Sequence, residues 1–128
     1  MRVLVDTHAL IWWACDAGRL PERVRTVIEH AGSEVHVSAA TAWEIATKHR
    51  LGKLNGVQAL VDGFGSYLAS QRFLPLPITV AHAIRAGTLR HVHRDPFDRM
   101  LIAQSLSEGL ALISNEAPFD SFGVVRIW

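Results

Sequence analysis

Five carboxylates stand where the chain changes from one kind of element to the next. Asp6 follows the apolar run Arg2–Val5, and Glu44 lies in the first half of a helical pattern opened by Ser38. Asp95 and Asp98 flank Pro96-Phe97, and Glu116 comes two residues after Leu110–Ser114. Carboxylates gathered in one pocket repel and raise one another's pKa unless positive charge lies among them. A hard divalent cation meets that need: Mg²⁺ or Mn²⁺ takes oxygen ligands, often one or two protein carboxylates with water and substrate phosphate. Such an ion can generate hydroxide and stabilise in-line displacement at phosphorus. With no nucleophilic Ser or Cys in view, the chemistry indicated is hydrolysis of a phosphate ester. Each acid also has an ordinary explanation. Asp6 suits a turn, Glu44 a helical pair with Lys48 at i+4, and Asp95 and Asp98 the cap and first turn of a helix. The weight rests on the combination.

The elements that would position these acids alternate in type. Arg2–Val5 reads as a strand, His8–Ala17 as a buried helix, Glu22–His30 as a second helix and Glu34–Val37 as a second strand. Ser38 is the expected N-cap of the next helix, with Ala42, Ile45, Ala46 and His49 along one face. Val57–Ser70 is helical despite Gly63 and Gly65, and Pro75–Ile78 is an extended connector. Thr79 caps a helix that Gly87 should end, and Asp98–Glu108 is a helix stopped by Gly109. Leu110–Ser114 and Val124–Ile127 are the last strands. Strands alternating with helices predict an α/β fold with a mainly parallel sheet, and such sheets place their sites beyond the carboxyl ends of the strands. Asp6 and Glu116 then share a rim, and the start of the Glu44 helix faces it. Asp98 depends on the topology.

Composition bounds the rest. At 128 residues the chain suits one domain, 1–128. Its 49% hydrophobic and 20% charged residues are those of a globular protein. The formal charge is only +1, so an argument for nucleic acid needs local basic clusters. A single cysteine, Cys15, excludes an internal disulfide framework. No signal peptide and no apolar run of roughly 18 residues is visible, so the expected location is the cytoplasm, without a membrane.

The stretches VDTHALIWW, VSAATAWEIATKHRLGKL, HRDPFDRMLIAQSLSEGLALIS and FGVVRIW resemble VapC toxins, the PIN-domain ribonucleases of type II toxin–antitoxin pairs. The likeness runs almost end to end, and the joint occurrence of DTH, WEI and DPFDR is what makes it specific. It implies a three-layer α/β/α PIN domain with a parallel sheet. It also implies an endoribonuclease dependent on Mg²⁺, with Mn²⁺ able to substitute, that leaves a 5′-phosphate and a 3′-hydroxyl. By position, Asp6 and Glu44 match the first two acids of the family and Asp98 the third, with Asp95 a nearby cap or outer acid. The fourth acid is usually Asp in a Thr-x-Asp step. Here the step is Ser114-Asn115-Glu116, one methylene longer. The resemblance thus assigns catalysis to Asp6, Glu44, Asp98 and Glu116, and metal binding to Asp6, Asp98, Asp95 and Glu116. Implied partners are a cognate VapB-type antitoxin, an RNA substrate and a second copy in a homodimer, with a toxin–antitoxin hetero-oligomer beyond it. DNA is reached only through the antitoxin.

Lys48, Arg50, Arg94 and Arg99 border the acids and are candidates for the RNA backbone, with salt bridges the alternative. His91-x-His93 fits a loop pair near RNA or solvent better than a zinc site. His8 and Thr7 sit by Asp6 as packing or turn residues. Trp12 and Trp13 fit core and interface, and Cys15 a small buried group. The competing function is a PIN-fold module that binds RNA or protein with weak or no cleavage. Phosphotransfer folds fit less well. LALIS lacks the following lysine of a receiver, position 8 is His rather than Asp, and no GKS or GKT loop exists.

Overall fold

The computed structural model describes residues 1–128. Strands β1 (Arg2–Val5), β2 (Glu34–Ser38), β3 (Leu74–Leu76), β4 (Ala111–Ile113) and β5 (Arg126–Ile127) form one sheet in the order β3-β2-β1-β4-β5. Every neighbouring pair is parallel. Seven α-helices connect and flank them: α1 (Thr7–Cys15), α2 (Glu22–Glu29), α3 (Ala39–Arg50), α4 (Gln58–Asp62), α5 (Phe64–Ser70), α6 (Val80–Thr88) and α7 (Pro96–Glu108). Short 3₁₀ turns cover Ala17–Arg19 and Ala117–Phe122.

The central strand β1 is buried on both faces, as a strand between parallel neighbours must be. Its alternation sorts the core. Val3 and Val5 pack with Ala9, Leu10, Val24, Ile28, Leu60 and Leu68 of α1, α2, α4 and α5. Leu4 faces the other way, onto Leu101 and Ile102 of α7 and onto Leu112 and Phe119. The result is the expected helix–sheet–helix layering. No helix is long and apolar enough to cross a membrane.

Several boundaries differ from the sequence reading for identifiable reasons. Helix α1 starts one residue early, because Asp6 takes the N-cap and accepts from the Thr7 N–H at 2.6 Å. It ends at Cys15, which is exposed rather than buried. The expected connector at Pro75 contains β3, an edge strand paired to β2, where a residue without an N–H is tolerated. The Val57–Ser70 segment breaks at Gly63 into α4 and α5. Ser38 caps α3 as expected, but the inward face is Ala40, Thr41, Glu44 and Ile45, and Ala46 is exposed. That face is partly polar because it borders the site, so hydrophobic spacing alone misplaces it.

Gly87 does not end α6 but lies within it, while Gly109 closes α7 with φ +64°. The two glycines should therefore respond oppositely to a methyl group. A Cβ meets no atom within 4 Å at either position. Gly87→Ala should raise stability by up to about 1 kcal/mol through helix propensity. Gly109→Ala should lower it by about 1 kcal/mol, because only the left-handed conformation is strained. Urea unfolding of the two variants checks both signs.

Candidate active site

Parallel pairing brings the ends of β1, β2 and β4 to one rim. Val5 is in register with Ile113, and the Asp6 N–H donates to the Ile113 carbonyl at 2.9 Å. Asp6 is only 2% exposed. Its Oδ1 accepts from Thr7 N–H, and its Oδ2 accepts from the Ser114 hydroxyl at 2.7 Å. Burial pushes the Asp6 carboxyl up from 3.8 to about 6. The Ser114 hydrogen bond opposes that rise and the nearby Asp98 charge adds to it. Thr7 also hydrogen-bonds Thr41 on α3 at 3.2 Å, tying the Asp6 turn to the helix that carries Glu44.

At the start of α7 the two aspartates divide the work. Asp95 is the N-cap, its Oδ1 accepting from the N–H groups of Phe97 (2.9 Å) and Asp98 (3.1 Å), with Pro96 at the first helical position. Asp98, in the first turn, has its carboxylate toward the rim and bonded to His93 Nε2 at 2.9 Å. Burial raises the Asp98 pKa; the His93 hydrogen bond opposes this, and the charges of Asp95 and Glu44 add to it. Edge-on contacts hold the His93 ring, with Phe119 at 5.6 Å and Phe122 at 6.2 Å. The His91 ring lies 4.8 Å from that of Phe122, tilted by 52°. The histidines thus organise the acid turn, a role that the H-x-H spacing alone does not signal.

Arg99 belongs to the same scaffold rather than to an exposed basic surface. Its guanidinium donates to four backbone carbonyls, Ala86 (2.9 Å), Leu89 (2.7 Å), His91 (3.1 Å) and His93 (3.1 Å). These bonds clamp the chain between α6 and α7 and leave little of the guanidinium for phosphate. Arg94 and Arg50 are exposed at the surface.

Glu44 reaches the rim from α3 and is 2% exposed. Its Oε2 pairs with Lys48 one turn on, and its Oε1 is buried with no hydrogen-bond partner. Burial pulls the Lys48 pKa down, but the hydrogen bond and charge of Glu44, with Asp95 and Asp98, more than offset it. Glu116 is half-buried beyond β4, where its backbone N–H donates to Ser114 Oγ at 3.1 Å. Asp6 feels the charges of Asp98 and His8, and Asp98 feels those of Asp95, Glu44 and His93. Asp6, Asp98, Glu44 and Asp95 are thus linked electrostatically along the rim, and Glu116 joins them through Ser114, whose hydroxyl binds both its N–H and the Asp6 carboxylate. Ser114, a direct partner of Asp6, is the residue that sequence reasoning undervalued; its hydroxyl in the Thr-x-Asp step was the available signal.

This donor set suits a hard cation. It is all oxygen, and it holds two carboxylates, Asp6 and Asp98, whose pKa values are raised. No three His, Cys, Asp or Glu side chains make a ready-formed cage. Mg²⁺ needs none, since it keeps several waters and uses few protein carboxylates.

The PIN domain profile matches residues 3–124, and the chain belongs to the PIN-domain family. It is similar to Ribonuclease VapC22 of Mycobacterium tuberculosis (strain ATCC 25618 / H37Rv), with 25% identity over 117 residues, 89% of this chain and 86% of the relative. In fold it is similar to a chain of VapBC2 from Rickettsia felis bound to a DNA fragment from their promoter. That match has a TM-score of 0.72 at 12% identity and covers 99% of this chain and 98% of the other. A chain of VapBC-1 from nontypeable Haemophilus influenzae matches with a TM-score of 0.65 at 19% identity, over 99% and 97% of the two chains.

Two measurements follow from this geometry. A carboxyl whose folded pKa is raised makes folding strongest below the unfolded pKa, and that contribution is lost as pH rises through the folded value. For Asp6, between 3.8 and about 6, the loss is about 3 kcal/mol. In metal-free buffer, Asp6→Asn should remove most of the stability difference between pH 4 and pH 7.5 that this group causes. Urea titrations at both pH values compare the variant with the parent. Arg99→Lys should cost about 2 kcal/mol or more in the same assay, because an ammonium cannot serve four carbonyls in a fork. An Arg99→Lys protein of unchanged stability would rule out the clamp.

Proposed function

We propose that this chain is a metal-dependent endoribonuclease, the toxin of a type II toxin–antitoxin pair. The observation that carries the reading is that buried Asp6 and Glu44 and half-buried Asp98 come from three separate segments to the carboxyl rim of the sheet, with Asp98 repelled by Glu44 and repelling Asp6. Membership of the PIN-domain family and the similarity to a VapC ribonuclease support it.

Asp6 and Asp98 would hold Mg²⁺, or Mn²⁺ in its place, with Asp95 acting on Asp98 from behind and Glu116 reaching the site through water. When bound, the ion supplies Lewis acidity at the phosphate and a lowered pKa for a coordinated water. Ser114 and the Thr7 N–H hold the Asp6 carboxylate in one orientation, and His93 does the same for Asp98. The unpartnered Oε1 of Glu44 would accept a proton from an attacking water. Attack at phosphorus would break the bond to the 3′-oxygen, which takes a proton from solvent water and leaves as a 3′-hydroxyl while the attacking oxygen stays on the 5′-phosphate. Arg94 and Arg50, exposed near the acidic turn and at the end of α3, supply positive charge for the RNA backbone.

The remaining parts of the reading follow from it. A VapB-type antitoxin would cover the site and carry any DNA binding of a hetero-oligomer, the toxin would pair with a second copy, and the pair would work in the cytoplasm. Solved VapBC structures with the same fold support the antitoxin.

The test is cleavage of structured RNA by the purified chain. Cleavage should require Mg²⁺ or Mn²⁺, stop with EDTA, and fall about 100-fold or more in Asp6→Asn and in Asp98→Asn. Glu116→Gln should have the smaller effect. Expression without the antitoxin should arrest growth, and Asp6→Asn should relieve the arrest. Undiminished cleavage by both aspartate variants would overturn the reading.

A further inference from the structure

Lys48 has a position that RNA binding does not explain. An i,i+4 Glu–Lys pair on a helix is ordinarily a solvated surface contact. Here the Glu44 side chain is 3% exposed and that of Lys48 is 29% exposed, so the pair is largely withdrawn from solvent. One oxygen of Glu44 binds it, and the other is buried and unpartnered. The same ammonium lies in the field of Asp95 and Asp98. Together with Thr7, His8, Ile11, Lys53 and Leu54, the pair lines a cavity of about 260 Å³.

We propose that Lys48 is the resident counter-cation of Glu44 and closes that side of the acidic site to a second divalent ion. The chain then takes one ion, at Asp6 and Asp98. This rests on the nuclease reading of the site. A divalent ion at Glu44 would stand against a fixed ammonium, and at contact distances in a partly buried site like-charge repulsion excludes it. Lys48 is in these terms a positioning residue. It holds Glu44 off the metal, leaving Oε1 free for the attacking water.

Mn²⁺ binding read by electron paramagnetic resonance, without RNA, tests the assignment. The parent chain should bind one Mn²⁺, and Asp6→Asn should bind none. Lys48→Met should bind two. Glu44→Gln should weaken the single site about tenfold, because the freed ammonium then competes for Asp95 and Asp98. The double variant Glu44→Gln/Lys48→Met, which buries no unpaired charge and so avoids the folding risk of Lys48→Met, should return to near the parent affinity. Two ions in the parent chain, or a double variant as weak as Glu44→Gln, would overturn the role of Lys48 and leave the nuclease reading standing. No Mn²⁺ bound by the parent chain would overturn both.

Discussion

Strand β1 is hydrogen-bonded on both sides by parallel partners and buried on both faces. The chain leaving it must therefore turn at the carboxyl rim, directly into α1. The residue at that turn, Asp6, is held by the Ile113 carbonyl, the Ser114 hydroxyl and its own cap on α1. It has no freedom to swing into solvent and discharge its carboxylate there. Much of the site's chemistry descends from this one confinement. A charge that cannot reach water raises its own pKa and that of any acid beside it, and creates the demand for a cation.

Around that fixed point the other acids arrive on helices whose starts are set by capping. Ser38 and Asp95 cap α3 and α7, and the first turns of those helices face the rim. Arg99 and His93 then stiffen the loop before α7, so Asp98 is positioned by backbone clamps and an aromatic wall rather than by core packing. The folded protein carries the cost of this arrangement in two strained carboxylates, which is common where a site is built for function rather than stability.

Much of this was legible from the residues. The β–α alternation, the caps at Ser38 and Thr79, the stop at Gly109 and the shared rim of Asp6 and Glu116 follow from periodicity and turn chemistry. Those signals are local, so the structure repeats them. The inward face of α3 was read one step off because its buried positions include Thr41 and Glu44, which a hydrophobic pattern scores as solvent-facing. The edge strand β3 was hidden by two prolines, since its pairing depends on β2 being next to it rather than on its own propensity.

The sequence by itself determined which residue types were available and the order in which they meet the ends of strands and helices. Its proline at Pro96 marks a helix start that either Asp95 or Asp98 could serve, and only the family resemblance, counted back from Gly109, singles out Asp98. What only the tertiary structure decided is which groups touch. Ser114 rather than Glu116 contacts Asp6, His93 holds Asp98, Arg99 turns inward to four carbonyls, and Lys48 lies against a buried Glu44. Those contacts join residues far apart in the chain or depend on burial. Neither quantity is carried by local spacing, because each is set only when the sheet closes and fixes the distance between its crossing segments.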